Sequence, residues 1–319
     1  MSDPDNYRGI QLTAQLSKAT ERLIAALFVP RLERIGAFGM HQFAYRRRRG
    51  ARDALLHLIL SCLHSFSLGH RIVVYCSDVS GAFDRVDADR LRAKLRSFSV
   101  PEQVVDLLAS WLRPRSARVV VGGQQSHPIQ MSDMVYQGTV LGPVLWITYF
   151  GDACMAVRVE GFDEIIFADD LTAWKDIPAD ISDAAAFRQA ASCQRFLHEW
   201  GRANRVRFVP SKESTRILSR SRPAGEDFKL LGVTLDTKLL MHDAVEQCVV
   251  GASWRVYSLV RSKRYHTDAE MMCLFKAHVL SYIEYRNCAI SHASASVLVP
   301  LDDILVRFLR SLQITPLQS

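Results

Sequence analysis

The stretch Glu164-Ile165-Ile166-Phe167-Ala168-Asp169-Asp170-Leu171-Thr172-Ala173-Trp174 decides how the chain is read. Two short β-rich runs, 164–168 and 171–174, flank Asp169-Asp170, which predicts a hairpin with the acidic pair at its tip. Earlier, Arg71-Ile72-Val73-Val74-Tyr75-Cys76 reads as a buried strand that delivers Ser77 and Asp78 at its end. Each feature alone has an ordinary explanation, since an Asp after a strand caps the next turn and Asp-Asp is common hairpin chemistry. Three carboxylates gathered in a small space repel unless a cation neutralises them. Mg²⁺ supplies that neutralisation, bound by one or two carboxylates and by substrate phosphate oxygens. Two such ions, roughly 3.5–4 Å apart, activate a nucleophilic oxygen and stabilise a leaving pyrophosphate. That the two strands lie side by side is the expectation on which this reading turns.

Working outward, Leu12, Leu16, Leu23 and Leu27 recur at near-helical spacing until Pro30, which should end or kink the helix. A loop with Gly36, Gly39 and Arg46-Arg47-Arg48-Arg49 precedes a second apolar helix over about 52–66. Helices are expected near 87–97 and from Pro101-Glu102, where proline suits the first turn and glutamate the helix dipole. A hairpin around Gly122-Gly123 comes next, then a glycine-punctuated loop at 136–142 and a helix over 144–157. Beyond the acidic hairpin lie a helix at 183–204, short strands at 207–209, 216–219 and 229–235, and a mostly helical remainder. That remainder includes the capping box Thr267-Asp268-Ala269-Glu270. Strands cluster in the middle with helices on both sides, which argues for an α+β fold.

The composition agrees with a globular protein of one large core or two modest ones. Of 319 residues, 49% are hydrophobic and 23% charged, which excludes disorder and coiled coil. The longest apolar run, 140–150, falls short of the ~20 residues of a membrane span, and the polar start lacks a secretory signal. Seven scattered cysteines without CxxC spacing point to reduced thiols in an intracellular protein. The net charge of +7 is concentrated early, with 11 Lys/Arg against 5 Asp/Glu in residues 1–75 and 20 against 20 in residues 76–232. A polyanionic partner suits that asymmetry, and a solvated basic face is the rival reading.

These residues also carry a family resemblance. Ser77-Asp78-Val79-Ser80-Gly81-Ala82-Phe83-Asp84-Arg85-Val86, Gln137-Gly138-Thr139-Val140-Leu141-Gly142-Pro143 and Phe167-Ala168-Asp169-Asp170 resemble the three core palm motifs of reverse transcriptases from non-LTR, LINE-like retrotransposons. Segments at 6–10, 16–18 and 21–23, and 41–46 with 53–55, are similar to the fingers motifs, and Leu230-Leu231-Gly232-Val233 to the primer grip. Tyr136 and Gly9 stand where the family often has proline, which alters loop stiffness more than chemistry.

The resemblance implies roles. Asp78 and Asp169 would be direct metal ligands, Asp170 the third carboxylate, and the Val79 carbonyl a further metal contact. Phe83 would be the steric gate that excludes a 2′-OH, although a core aromatic at a strand-to-helix turn is the alternative. Gln137 and Gly138 would lie against the templating base and incoming nucleotide, the glycine allowing close backbone approach. Arg8 resembles the fingers arginine of the triphosphate, and bidentate arginine suits phosphate. Arg46, Arg47, Arg48 and Arg49 would meet nucleic acid, against a solvated loop or nuclear-import patch. Lys212 would steady the triphosphate or donate a proton to pyrophosphate, against a plain surface lysine.

The implied architecture is a right hand, with fingers at 1–74, a palm with an antiparallel sheet at 75–236, and a helical thumb at 237–319. The implied activity is RNA-directed DNA polymerisation with an RNA template, a DNA primer, dNTPs and Mg²⁺ or Mn²⁺, without a membrane. Nuclear location follows from the family alone. No endonuclease or zinc knuckle is visible, so a fragment or a catalytically silent, nucleic-acid-binding remnant is the competing reading. A maturase-like RNA binder ranks third.

Overall fold

The computed structural model describes residues 11–131 and 135–313. In chain order the elements are α1 (Gln15–Arg34), α2 (Ala51–Ser67), β1 (Arg71–Cys76), a 3-10 turn (Ala82–Arg85), α3 (Ala88–Ser97) and α4 (Glu102–Trp111). Four short strands follow, β2 (Arg115–Ala117), β3 (Val120–Val121), β4 (Gln124–Gln125) and β5 (Ile129–Met131). Next come α5 (Leu141–Phe150), α6 (Ala153–Arg158), β6 (Asp163–Phe167), β7 (Asp170–Ile177), α7 (Asp183–Asn204) and β8 (Ser214–Leu218). The chain finishes with β9 (Phe228–Leu230), β10 (Val233–Leu235), α8 (His242–Ser262), α9 (Asp268–Phe275), α10 (Ser281–Ile290) and α11 (Ala295–Ser311). The helices and strands are mixed as the α+β expectation has them.

Two compact units emerge: Met1–Arg49 with Val74–Lys175 and Phe187–Thr215, and Gly50–Val73 with Asp176–Ala186 and Arg216–Ser319. The main sheet has the order β6-β7-β1-β8. Ser77, just past β1, donates from its backbone N–H to Leu171 near the start of β7 at 2.9 Å, while His70, just before β1, meets Asp176 near the end of β7 at 2.6 Å. Those two ends show β1 and β7 to be antiparallel.

In the first unit the core is aromatic. Trp146 stacks on Phe150 at 5.1 Å, and Phe150 meets Trp200 edge-on at 5.3 Å. The expected single helix at 144–157 is broken into α5 and α6 at Gly151-Asp152. A Cβ on Gly151 would come within 2.4 Å of the Ala37 carbonyl, so the loop lying across this break requires glycine there.

Pro30 does not end α1. The helix continues through Pro30, with Phe28 and Leu32 fully buried on its inner face. Leu12, Leu16, Leu23 and Leu27 are 94, 80, 72 and 69% exposed, so the leucine stripe points outward. Proline forfeits one backbone hydrogen bond, and the packing of Phe28 and Leu32 on either side carries the helix through.

In the second unit, α8, α9 and α11 enclose Ala252, Val256, Met271, Phe275, Ile304 and Phe308, with Phe275 stacked on Phe308 at 4.3 Å. The capping box at Thr267 forms as expected, its hydroxyl accepting from Glu270 N–H and the Glu270 carboxylate accepting from Thr267 N–H. A π-helical turn at Lys276–Leu280 links α9 to α10. All seven cysteines are free thiols. Among the described residues no helix is long and apolar enough to cross a membrane.

Candidate active site

The acidic hairpin forms, shifted by one residue from its expected position. β6 and β7 pair antiparallel from Asp163 with Trp174 to Phe167 with Asp170, which leaves Ala168 and Asp169 as a two-residue loop. Asp170 therefore opens β7 as an exposed strand residue, while Asp169 is half-buried in the turn. Ala168 has φ +62°, a left-handed conformation in which a Cβ is costly.

The pairing of β1 with β7 carries Asp78 to the same end of the sheet. Ser77 contributes its N–H at 2.9 Å and its hydroxyl at 3.0 Å to the carbonyl of Leu171, the residue after Asp170. On the other side of the strand, the Asp78 carbonyl accepts from Val209 N–H at 2.9 Å, and Ser80 N–H donates to Arg207 at 2.8 Å. Strand alternation then turns the Val79 carbonyl back toward the Leu171 side. The Asp78 Oδ2 atom is buried without a hydrogen-bond partner among the described residues, and the Lys212 ammonium, on a side chain 69% exposed, lies 3.7 Å from it. A buried carboxylate oxygen with no donor is the kind of atom that a divalent cation satisfies. Asp78 and the two hairpin aspartates thus lie toward one end of the sheet, and hard oxygen donors are the kind that such an ion takes.

Phe83 lies in the 3-10 turn that follows, half-buried. Its ring stacks on Trp146 at 5.9 Å and meets Tyr45 edge-on at 6.5 Å, and its carbonyl accepts from Val135 N–H. The Phe83 ring is thus held from two sides, with one edge of Trp146 reaching the acidic hairpin.

Gln137 and Gly138 occupy the turn that leads into α5, with Gly138 at φ +88°. That turn is anchored from α1, where the buried Glu21 carboxylate accepts from Val140 N–H at 2.7 Å and Leu141 N–H at 3.2 Å. A carboxylate there satisfies two of the unpaired donors that open a helix and meets its dipole. A Cβ on Gly142 would fall 2.5 Å from the Tyr136 carbonyl, so the second glycine of this motif is a packing requirement.

The four arginines of 46–49 do not behave alike. Arg46 is 6% exposed at its side chain and spends its guanidinium on Glu33 and on the carbonyls of Gly39 and Gln42, which corrects the expectation that it is available to nucleic acid. Arg49 donates to the Met40 carbonyl and lies over Phe43, while Arg47 and Arg48 are exposed. Arg8 lies outside the described residues.

Gln42 and Trp146 are the residues whose part the sequence left unread. The Gln42 side chain is fully buried, donates from Nε2 to the Ala168 carbonyl at 3.2 Å and accepts Ala168 N–H at Oε1 at 3.0 Å. Trp146 Nε1 donates to the same carbonyl at 3.1 Å. The available signal was a polar residue inside the apolar segment Phe38–Ala44 and an indole inside the apolar run before Gly151.

Comparison with known proteins agrees with this geometry. The family model described as reverse transcriptase (RNA-dependent DNA polymerase) matches residues 2–235. The RNA-directed DNA polymerase from mobile element jockey of Drosophila melanogaster is 29% identical over 258 residues, covering 75% of this chain and 28% of that protein. The probable RNA-directed DNA polymerase from transposon X-element of the same species is 28% identical, covering 74% of this chain and 27% of its own length. The chain therefore spans little more than a quarter of these relatives. Among solved structures, apo telomerase from Candida Tropicalis aligns with a TM-score of 0.52 at 10% identity, covering 93% of this chain and 50% of that one, a likeness of fold. With the family model over most of its length and relatives in mobile elements, the chain belongs to the reverse transcriptase (RNA-dependent DNA polymerase) family, of the non-LTR, LINE-like kind.

Proposed function

We propose that the chain is the polymerising part of an RNA-directed DNA polymerase, extending a DNA primer 3′-OH along an RNA template with dNTPs. The observation that supports it best is the meeting of Asp78 with the Asp169-Asp170 hairpin through the Ser77–Leu171 bonds, with Asp78 Oδ2 left without a hydrogen-bond donor. Asp78, Asp169, Asp170 and the Val79 carbonyl would hold divalent cations, and hard oxygen donors of this kind favour Mg²⁺ over softer ions, with Mn²⁺ as a substitute. When bound, the ions supply activation of the primer hydroxyl and charge neutralisation at the leaving pyrophosphate.

The chain's own groups do the rest. Lys212, beside Asp78, offers a cation to the triphosphate. Phe83, braced by Trp146 and Tyr45, is rigid enough to exclude a 2′-OH. Gln137 and Gly138 sit on a turn fixed by Glu21, where a backbone without Cβ can approach a base closely. Arg47 and Arg48 are exposed for phosphate contact, while Arg46 serves the fold. The roles of fingers, palm and thumb follow the motifs in chain order.

Primer extension on an RNA template tests the reading. Asp169→Asn is expected to lower Mg²⁺-dependent dNTP incorporation by about 10³-fold or more, since a metal-bound carboxylate acts on the transition state itself. Incorporation surviving that change at wild-type rate rejects the site. Phe83→Ala is expected to raise rNTP over dNTP use by about tenfold or more, a difference of roughly 1.4 kcal/mol or more in transition-state discrimination. Unchanged sugar selectivity removes the gate.

A further inference from the structure

We propose that Gln42 is a positioning residue for nucleotidyl transfer, holding the Ala168 peptide in its left-handed conformation so that Asp169 and Asp170 present their carboxylates together. This deepens the polymerase reading and rests on it. The loop of the β6–β7 hairpin contains no glycine, and its first residue, Ala168, sits at φ +62°. A non-glycine residue relaxes out of that conformation unless its surroundings over-determine it.

Gln42 supplies the determination. Its primary amide lies against the Ala168 peptide in the manner of a neighbouring strand, with Oε1 accepting the N–H at 3.0 Å and Nε2 donating to the carbonyl at 3.2 Å. The same Oε1 accepts Ala44 N–H at 3.0 Å, which fixes the amide's own rotamer. The backbone around Gln42 is equally fixed. Ile166 N–H donates to the His41 carbonyl at 2.9 Å and Phe43 N–H to the Ile166 carbonyl at 2.8 Å, forming a parallel bridge on the outer edge of β6. The side chain therefore extends a strap of residues 41–44 by two positions, from Ile166 to the turn itself.

No hydrophobic residue can replace this arrangement, because the fully buried Gln42 serves both polar groups of one peptide. Asp169 follows Ala168 directly, so a change in the Ala168 torsion reorients the Asp169 carboxylate. A glutamine that only filled space would show none of these paired bonds.

The test uses the full chain with Gln42→Met, which keeps the length and apolar body of the side chain and removes both hydrogen-bonding groups. Three readouts are taken: Mn²⁺ binding by electron paramagnetic resonance, kcat and dNTP KM in primer extension, and thermal unfolding. The expected result is Mn²⁺ binding about tenfold weaker and kcat at least tenfold lower, with dNTP KM within about twofold. Adding Ala168→Gly to Gln42→Met should restore Mn²⁺ binding to within about threefold, because glycine adopts positive φ without strain. If Gln42→Met does not fold, Gln42→Glu, which keeps the acceptor and drops the donor, is read in the same assays and should fall between wild type and Asp169→Asn. Wild-type Mn²⁺ binding and kcat in the folded Gln42 variant, or a deficit that Ala168→Gly leaves untouched, overturns the inference. Either of these with Asp169→Asn still inactive leaves the polymerase reading standing. A wild-type chain that extends no primer, or an active Asp169→Asn, overturns the reading itself.

Discussion

The β6–β7 and β9–β10 hairpins turn the chain in similar ways, and they are stabilised differently. Each closes with two loop residues, Ala168-Asp169 in one and Leu231-Gly232 in the other, and each begins its loop with a side chain at positive φ, +62° and +46°. In β9–β10 the second position is glycine at φ +82°, so both loop residues adopt the mirror-image turn that suits strand twist. One outside bond is added there, from the Tyr285 hydroxyl to the Leu231 carbonyl at 2.6 Å. In β6–β7 the second position is Asp169, and three bonds from Gln42 and Trp146 act on the Ala168 peptide. A left-handed non-glycine residue costs about 1–2 kcal/mol and each bond returns about 1 kcal/mol net. Three bonds therefore hold Ala168, whereas the other loop holds itself. Where a loop carries no carboxylate to be presented, local chemistry suffices. Where it must present a carboxylate at a fixed place, tertiary contacts set the torsions.

Removing the indole donor has the largest expected effect on the β6–β7 turn. Trp146→Phe keeps a ring against Phe83 and Phe150 and loses only the bond to the Ala168 carbonyl and part of the ring volume. We expect a stability loss of about 1–3 kcal/mol and an extension rate lower by about tenfold. Chemical denaturation and single-turnover extension measure the two. A loss of stability with an unaltered rate would mean that Trp146 serves packing alone and does not act on the turn.

A smaller effect is expected from pH, through the strap that carries Gln42. His41 lies 3.4 Å from Asp163 and 3.3 Å from Glu164, with Arg158 3.4 Å from its ring. Hydrogen bonds to the two carboxylates, Asp163 first, outweigh burial and push its pKa up from 6.5 to about 9. A folded-state value above the unfolded one means the proton is held more tightly in the native chain. The contribution to stability is complete below about pH 6.5 and is lost as pH rises to about 9. Denaturation midpoints should fall across that window in the wild type and stay nearer level in His41→Gln. Parallel declines in the two proteins would place the titration elsewhere.

What the sequence discloses follows from how far each cause reaches along the chain. The strand that ends before Asp78 and the hairpin at Asp169-Asp170 were legible because both are local patterns, and motif order suggested the shared sheet that distance conceals. The turn itself was placed one residue late, since nothing local favours an alanine at positive φ over an aspartate pair in the loop. Gln42 was unreadable as a clamp because its partner lies 126 residues away. The continuation of α1 past Pro30 was hidden for a related reason. Helical periodicity reports that a face is apolar, and Phe28 and Leu32 on another face do the burying. Arg46 sits in a run of four arginines that reads as one basic patch, yet Glu33 and two carbonyls take it into the fold.

The smallest effect is expected in the other hairpin. Tyr285→Phe removes the hydroxyl that meets Leu231 in β9–β10 and leaves the ring in place. The Leu231 carbonyl loses one donor, and Gly232 still supplies the positive φ that the turn needs. Stability should therefore fall by about 0.5–1.5 kcal/mol, the net worth of one hydrogen bond. Mn²⁺ binding should not change, because no carboxylate rides on this loop. Mn²⁺ binding that weakened as far as in Gln42→Met would show that the two hairpins are not distinguished by what their loops carry.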